Sequence, residues 1–283
     1  MAARSRSSND DEARRPNEQP GPHAFGGGRV VAAPARSGRV CGGVAADPGS
    51  ALSKSFDVIV VDLPGFGDAP ALPPGVLPTA AALADAIEQQ QDQLGLTTVH
   101  LAGYSLGARV SLELASRGRA RSVVAIAPDG LGTPLERVYE TMSLLGRHFF
   151  ANVLAPVAKE VTSTGAGRAA FFGSDRSRPW QLTPVDAHEL LLSFANSPAF
   201  VQTVLTGMYD VVQRMSRISC PVLIVQGMMD PLITSQSPRY LAFVPQAVLQ
   251  MLPNLSHVPI SDNPTLVARL IVDFAVAESS LVA

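Results

Sequence analysis

From residue 56 onward, short and nearly all-apolar runs alternate with longer stretches in which apolar residues recur every three or four positions. The apolar runs fall at residues 56–61, 99–103, 123–127, 222–226 and 248–252. Strands covered by helices on both faces have this texture, because neither face meets water. Helical spacing predicts helices over residues 79–94, 106–117 and 236–243, and one more over residues 264–277 after the last strand. Strands and helices in alternation predict an α/β chain with a mostly parallel sheet and crossover helices.

Residues 131–219 interrupt that rhythm, since the gap between the third and fourth strands is far longer than an ordinary crossover. The segments "PLERVYETMSLLGRHFF", "TPVDAHELLLSFANS" and "AFVQTVLTGMYDVVQRM" all carry helical spacing, so several helices are expected. One arrangement is a helical layer of the main core. The expected one is an inserted cap over the C-terminal edge of the sheet, because long insertions there commonly shape binding sites. The expected division is a disordered tail at 1–28, a core formed by 29–130 and 219–283, and a helical cap at 131–218.

The first 50 residues differ in kind. Twenty-nine are Ala, Arg, Gly or Pro, and Leu, Ile, Trp and Tyr are absent until Leu52. Such a stretch builds little core by itself. Its best strand candidate is "RVVAAPA", residues 29–35, with Ala in place of large aliphatics and with Pro34 unable to donate a hydrogen bond. The N-terminal strands are therefore expected to be degenerate or missing.

Over 283 residues a hydrophobic fraction of 46% suffices for one large domain or for a core with an insertion. A net charge of -2 supplies no broad basic field, so a small-molecule substrate is expected and a nucleic-acid partner is not. Cys41 and Cys220 have neither metal-ligand spacing nor the numbers for a disulfide framework, and Cys220 reads as a small buried hydrophobe. The N-terminus has no apolar signal core, and no apolar run reaches the roughly 18 residues of a membrane span. A cytoplasmic protein with no membrane partner, no metal and no cofactor is expected, and composition leaves its oligomeric state open.

Candidate chemistry centres on "AGYSLGARVSLEL", residues 102–114. A strand ends there, a serine sits between Gly103 and Gly107, and a helix with Leu106, Val110 and Leu114 at helical spacing begins at once. Arg109 and Glu113 have the spacing to pair at i,i+4, and Gly118 is a natural stop. A strand-to-helix turn this sharp needs small neighbours, and it presents the Ser105 hydroxyl beside a helix N-terminus. Serine is a weak nucleophile, so it requires a histidine as base and a carboxylate to orient that base. Both follow: "VLIVQGMMD" ends a strand at Asp230, and "LPNLSHVP" carries His257 just past the next strand. The order Ser, Asp, His, each just beyond a strand's C-terminal end, is that of the nucleophile-elbow fold. Asp129, after the strand at 123–127, is a rival acid. His100 lies within a strand and reads as structural, His148 and His188 read as surface groups on cap helices, and His23 belongs to the polar tail.

With "DLPGFGD", "GYSLG", "VLIVQGMMD" and "LPNLSHVP", the chain resembles an α/β-hydrolase-fold serine hydrolase with a helical cap, from Phe56 to the C-terminus. The resemblance implies Ser105 as nucleophile, His257 as general acid/base, Asp230 as the acid that fixes the imidazole tautomer, and the Leu106 backbone N–H as an oxyanion donor. Tyr104 and Met229, next to Ser105 and Asp230, are the substrate-contact candidates. "DLPGFGD" is read as a turn that needs Gly65 and Gly67 for unusual dihedrals, with no catalytic residue of its own. Dehalogenase and epoxide-hydrolase relatives place an aspartate where Ser105 stands, which argues against their chemistry.

The family's second oxyanion donor follows an earlier strand, placed in the sheet between the strands at 56–61 and 99–103, and is usually marked by His-Gly. This chain has no His-Gly; residues 29–35 are the strand candidate and "HAFGGG", residues 23–28, only faintly resembles such a loop. The second donor is therefore left unassigned. Aromatic residues at 149, 150, 171, 172, 180, 194, 200 and 209 lead to the expectation of a small or medium apolar ester or related acyl substrate. C–C bond hydrolysis, hinted at by "APDGLG", and a non-catalytic ligand-binding member of the fold are the alternatives.

Overall fold

The structure is a computed structural model that describes residues 29–33, 51–67 and 69–280. The expected tail at 1–28, the "HAFGGG" segment, Pro34 and Cys41 lie outside the described residues. Six strands form the sheet: β1 (Arg29–Ala33), β2 (Ile59–Asp62), β3 (Val99–Tyr104), β4 (Ala120–Ile126), β5 (Val222–Gly227) and β6 (Val248–Leu252), in the order β2-β1-β3-β4-β5-β6. From β3 to β6 all pairs are parallel, so Tyr104, Ile126, Gly227 and Leu252 end at one edge.

The apolar runs become strands because both faces are covered. Leu101, Val123 and Ile224 face one way and pack with α2 (Ala80–Gln93) and α3 (Leu106–Ser116) through Leu83, Ile87 and Leu112. Ala102, Val124 and Val225 face the other way and pack with Leu52 of α1 (Ala51–Ser55) and with Val267 and Ile271 of the last helix. This alternation is the two-residue repeat of a strand, with both sides dry.

β1 takes the place expected of residues 29–35, between β2 and β3, but runs antiparallel to both. Its register sets Val30 opposite Gly103 and Ala33 opposite His100. The C-terminal end of β1 therefore lies at the edge of the sheet opposite Ser105. Residues 34–50, where the resemblance would put a second oxyanion donor, lie outside the described residues.

α3 is buried along its whole length, so its polar side chains must find partners inside. Arg109 does not pair with Glu113. It reaches Asp129 and Asp210 instead, while Glu113 pairs with Arg117 at 3.1 Å. The helix expected over residues 236–243 is a short 3-10 turn, Ser237–Ala242, with proline at its start. Its Tyr240 hydroxyl donates to the Asp129 carbonyl.

Between β4 and β5 the described chain runs through five α-helices: α4 (Pro134–Leu154), α5 (Ala158–Ser163), α6 (Gly165–Phe172), α7 (Pro184–Ala195) and α8 (Phe200–Gly207). Threonine caps start three of them: Thr133, in a capping box with Glu136, Thr164 and Thr183. Phe172, Leu190, Leu191 and Phe194 share one apolar cluster with the strands, so this insertion is packed onto the core. After β6 come α9 (Pro259–Asp262) and α10 (Pro264–Ser280). Among the described residues no helix is long and apolar enough to cross a membrane.

β3 and α3 meet at closest range at Gly103. A Cβ there would lie 2.2 Å from the Gly107 carbonyl oxygen and 2.6 Å from Ser111 Oγ. Gly103→Ala is expected to lower stability by about 1–3 kcal/mol or more, since backbone must give way. Chemical denaturation checks this, and an unchanged midpoint would refute the close contact.

Candidate active site

Ser105 sits between the last residue of β3 and the first of α3, with φ 52° and ψ -118°. A non-glycine residue held there is strained, and the surrounding bonds hold it: the Ser105 N–H donates to the Ile126 carbonyl at 2.8 Å, and its own carbonyl accepts from Ala108 and Arg109. Leu106, as the first helical residue, has no acceptor one turn earlier in the helix for its N–H. That N–H and the helix dipole give the Ser105 end of α3 a positive field.

His257 lies in the loop after β6, and its Nδ1 is 2.8 Å from Asp230 Oδ2. Asp230 also accepts from Gln226 Nε2 at 2.8 Å and from the backbone N–H groups of Leu232 and Ile233 at 2.7 and 3.2 Å. Burial alone would raise the Asp230 pKa; His257 and these donors outweigh it and hold the carboxyl below its ordinary range. An ionised carboxylate only accepts, so Nδ1 carries the proton and Nε2 is left as the basic nitrogen. Burial disfavours the imidazolium, but Asp230, with Asp175 and Glu140 further off, overcomes that and raises the His257 pKa above its ordinary value.

Asp129 is engaged elsewhere. Its Oδ2 takes a bond of 2.8 Å from Arg109, whose other nitrogen lies 3.6 Å from Asp210. Asp230, not Asp129, is the carboxylate on His257.

Ser105 and His257 line one cavity that opens to solvent. Its floor is the strand edge, with Phe66, Tyr104, Leu106 and Asp129; its roof is the insertion, with α4 contributing Arg137, Glu140, Thr141, Leu144 and Arg147. Tyr104 lies in the lining, its ring 5.2 Å from that of His257. Met229 does not border the cavity; it is 55% exposed, because the turn after β5 carries it outward while Asp230 points in.

Of the eight aromatics behind the expected apolar substrate, Phe194 and Phe200 line the cavity, Phe171 and Phe172 are buried, and Phe149, Phe150, Trp180 and Tyr209 are exposed. Charged side chains supply much of the wall instead. They neutralise one another: Arg109 with Asp129, Arg147 with Asp175 at 3.1 Å, and Arg137 bonded to the carbonyls of Gly130, Gly132 and Met208. Burial and the nearby Asp129 push the Glu140 carboxyl up to about 7. Sequence reading missed this set, although residues 137, 140, 141, 144 and 147 follow one helical face.

None of the other histidines among the described residues borders the cavity. His100 bonds Ser122 at 2.8 Å, and burial with Arg121 lowers its pKa to about 4. His148 and His188 are half-buried and not surface groups, His148 being stacked on Phe200 at 4.9 Å. Gly65 and Gly67 have φ 83° and 54°, as the turn reading of "DLPGFGD" requires.

The insertion also grips the histidine loop. Val258 N–H donates to the Asp175 carbonyl at 3.0 Å, Arg176 Nε to Ser261 Oγ at 2.9 Å, and the Asp262 carboxylate accepts from both Ser177 and Ser256. His257 is thus fixed from the sheet by Asp230 and from the roof by residues 175–177.

A family model for the alpha/beta hydrolase family matches residues 27–270. Epoxide hydrolase EphH of Mycobacterium tuberculosis (strain ATCC 25618 / H37Rv) is 30% identical over 206 residues, which is 69% of this chain and 94% of the relative. Among solved structures, a thermophilic esterase from Thermogutta terrifontis superposes with a TM-score of 0.58 at 19% identity, covering 78% of this chain and 80% of that one. The enol-lactonase from Burkholderia xenovorans LB400 gives a TM-score of 0.58 at 20% identity, covering 80% and 83%.

The two carboxylates lead to opposite expectations. Asp230→Asn should cut the turnover of an activated ester on the order of 10⁴-fold with the fold retained, by precedent of other triads. Asp129→Asn should lower the thermal midpoint, because Arg109 loses half its compensation, and change turnover little. The reverse ranking would move the acid to Asp129.

Proposed function

The chain belongs to the alpha/beta hydrolase family, and on that premise we propose that it is a serine hydrolase cleaving a small or medium acyl substrate through an acyl-enzyme on Ser105. The observation that carries this reading is the sharing of one cavity by Ser105, on its strained turn, and His257, whose Nδ1 is held by Asp230.

In this mechanism His257 Nε2 takes the Ser105 proton as Oγ attacks the substrate carbonyl. Negative charge develops on the carbonyl oxygen and is met by the Leu106 N–H at the start of α3. The imidazolium then protonates the leaving group, and a water activated by neutral His257 cleaves the acyl-enzyme. Asp230 stays ionised throughout and stabilises the imidazolium.

The nucleophile separates this reading from epoxide opening. A serine oxygen attacking an epoxide carbon forms an ether, which a histidine-activated water does not cleave. Attack on a carbonyl forms an ester, which it does. The mixed cavity wall supports acyl substrates that carry polar groups beside an apolar portion.

The direction of β1 favours one rival, a ligand-binding member without turnover, because β1 runs antiparallel to β3 and ends opposite His100, at the edge away from Ser105. Losing one oxyanion donor typically costs about 10²–10³ in rate.

Intact mass after exposure to a fluorophosphonate decides between them. The parent should gain one adduct, and folded Ser105→Ala and His257→Ala variants none; a folded parent that stays unlabelled would overturn the proposal. The labelling rate should rise with pH as His257 loses its proton, with a midpoint above about 6.5 because the folded pKa is raised. A rate flat from pH 5 to 9 would exclude His257 as the base.

A further inference from the structure

The longest helix of the insertion is amphipathic the wrong way round for a lone surface helix. Its inner face carries Arg137, Glu140 and Arg147 to the cavity. Its outer face carries Leu135, Val138, Tyr139, Met142, Phe149, Phe150 and Val153, between 46% and 78% exposed. At 100° per residue these positions fall within one apolar stripe roughly 120° wide, interrupted between Met142 and Phe149, where Gly146 lies on the same face. An exposed stripe of this kind marks an interaction surface.

Three occupants compete for it. Residues 1–28 and 34–50 contain no Leu, Ile, Trp or Tyr, so they lack the side chains to match seven large apolar groups. A lipid surface calls for Lys and Arg beside the stripe, whereas Arg137 and Arg147 turn inward to backbone carbonyls and to Asp175.

A second copy of the same helix fits, because the side-chain sizes match when the helix is reversed about its centre. With two copies antiparallel and the two-fold at the height of residue 144, Leu135 lies level with the second copy's Val153, Val138 with Phe150, Tyr139 with Phe149, and Met142 with Gly146. A Cβ at Gly146 would meet nothing within 4 Å, so that point is open to receive the Met142 side chain. At roughly 200 Å² for a large side chain, the seven groups at these exposures present on the order of 800 Å² per copy, the ceiling of what the pair could cover. That ceiling matches the ~800 Å² per partner that a standard stable interface buries.

We propose that the outer face of α4 is the self-complementary interface of a homodimer, two α4 helices packing antiparallel about a two-fold axis that crosses the outer face midway between Met142 and Gly146. Such an interface repeats the same patch on both subunits and closes on itself. It also braces from outside the helix whose inner face forms the cavity roof.

Sedimentation velocity of the full chain at tens of micromolar tests this. The parent should be a dimer, and Met142→Glu and Phe149→Glu, both at exposed positions, should be monomers with unchanged circular dichroism. In a Cys41→Ser, Cys220→Ser background, Leu135→Cys with Val153→Cys should give a covalent dimer on mild oxidation, and neither single cysteine should. Like positions would be 18 residues apart in height, about 27 Å. A monomeric parent, a dimer that survives both glutamates, or cross-linking by either single cysteine would overturn the proposal. So would a monomer that binds phosphatidylcholine vesicles through this stripe, which would give the face to lipid.

Discussion

Everything at the site depends on one geometric constraint, the parallel run of β3 to β6. Strands that run the same way deliver the ends of all four to one edge, so residues far apart in sequence converge without further instruction. Ser105, Asp129, Asp230 and His257 each follow a different strand, and three of the four strand ends carry Ser105 and the hydrogen-bonded pair Asp230 and His257. The cost falls on the connection at Gly103, where strand and helix backbones come so close that no side chain fits between them.

Burial then decides how the charges are used. A fully buried α3 cannot leave Arg109 alone, and Asp129 and Asp210 close around it. That pairing occupies Asp129, and Asp230, with its four donors, is the carboxylate bonded to His257 Nδ1. The same logic runs through the roof, where Asp175 sits between Arg147 and Arg176 while its carbonyl fixes the loop of His257. Roof and floor are therefore coupled through the loop that carries His257.

The insertion does two jobs with one helix. Polar side chains on the inner face of α4 shape a cavity that is more charged than its aromatic count suggested, and apolar ones on the outer face await a partner surface. Similarity to an epoxide hydrolase and to an esterase describes a scaffold that tolerates many chemistries. The residue at the elbow narrows them, because the bond that serine makes must be one that water can later break.

The strands, most helices and the order Ser105, Asp230, His257 were legible from the sequence, because strand periodicity, turn residues and a sharp elbow are local requirements written in adjacent letters. Gly65, Gly67 and Gly103 were legible for the same reason: each satisfies a backbone that only a missing side chain allows. The direction of β1 was not, since hydrogen-bond register with β2 and β3 is a matter between strands. Nor were the partners of Arg109, the exile of Met229 from the cavity, or the fate of the aromatics, of which four faced solvent. Composition names which side chains exist, and helical spacing groups them into faces. Which face turns inward, and which carboxylate meets which cation, is set by the free energy of packing the whole chain, where the nearest partner in space is rarely the nearest in sequence.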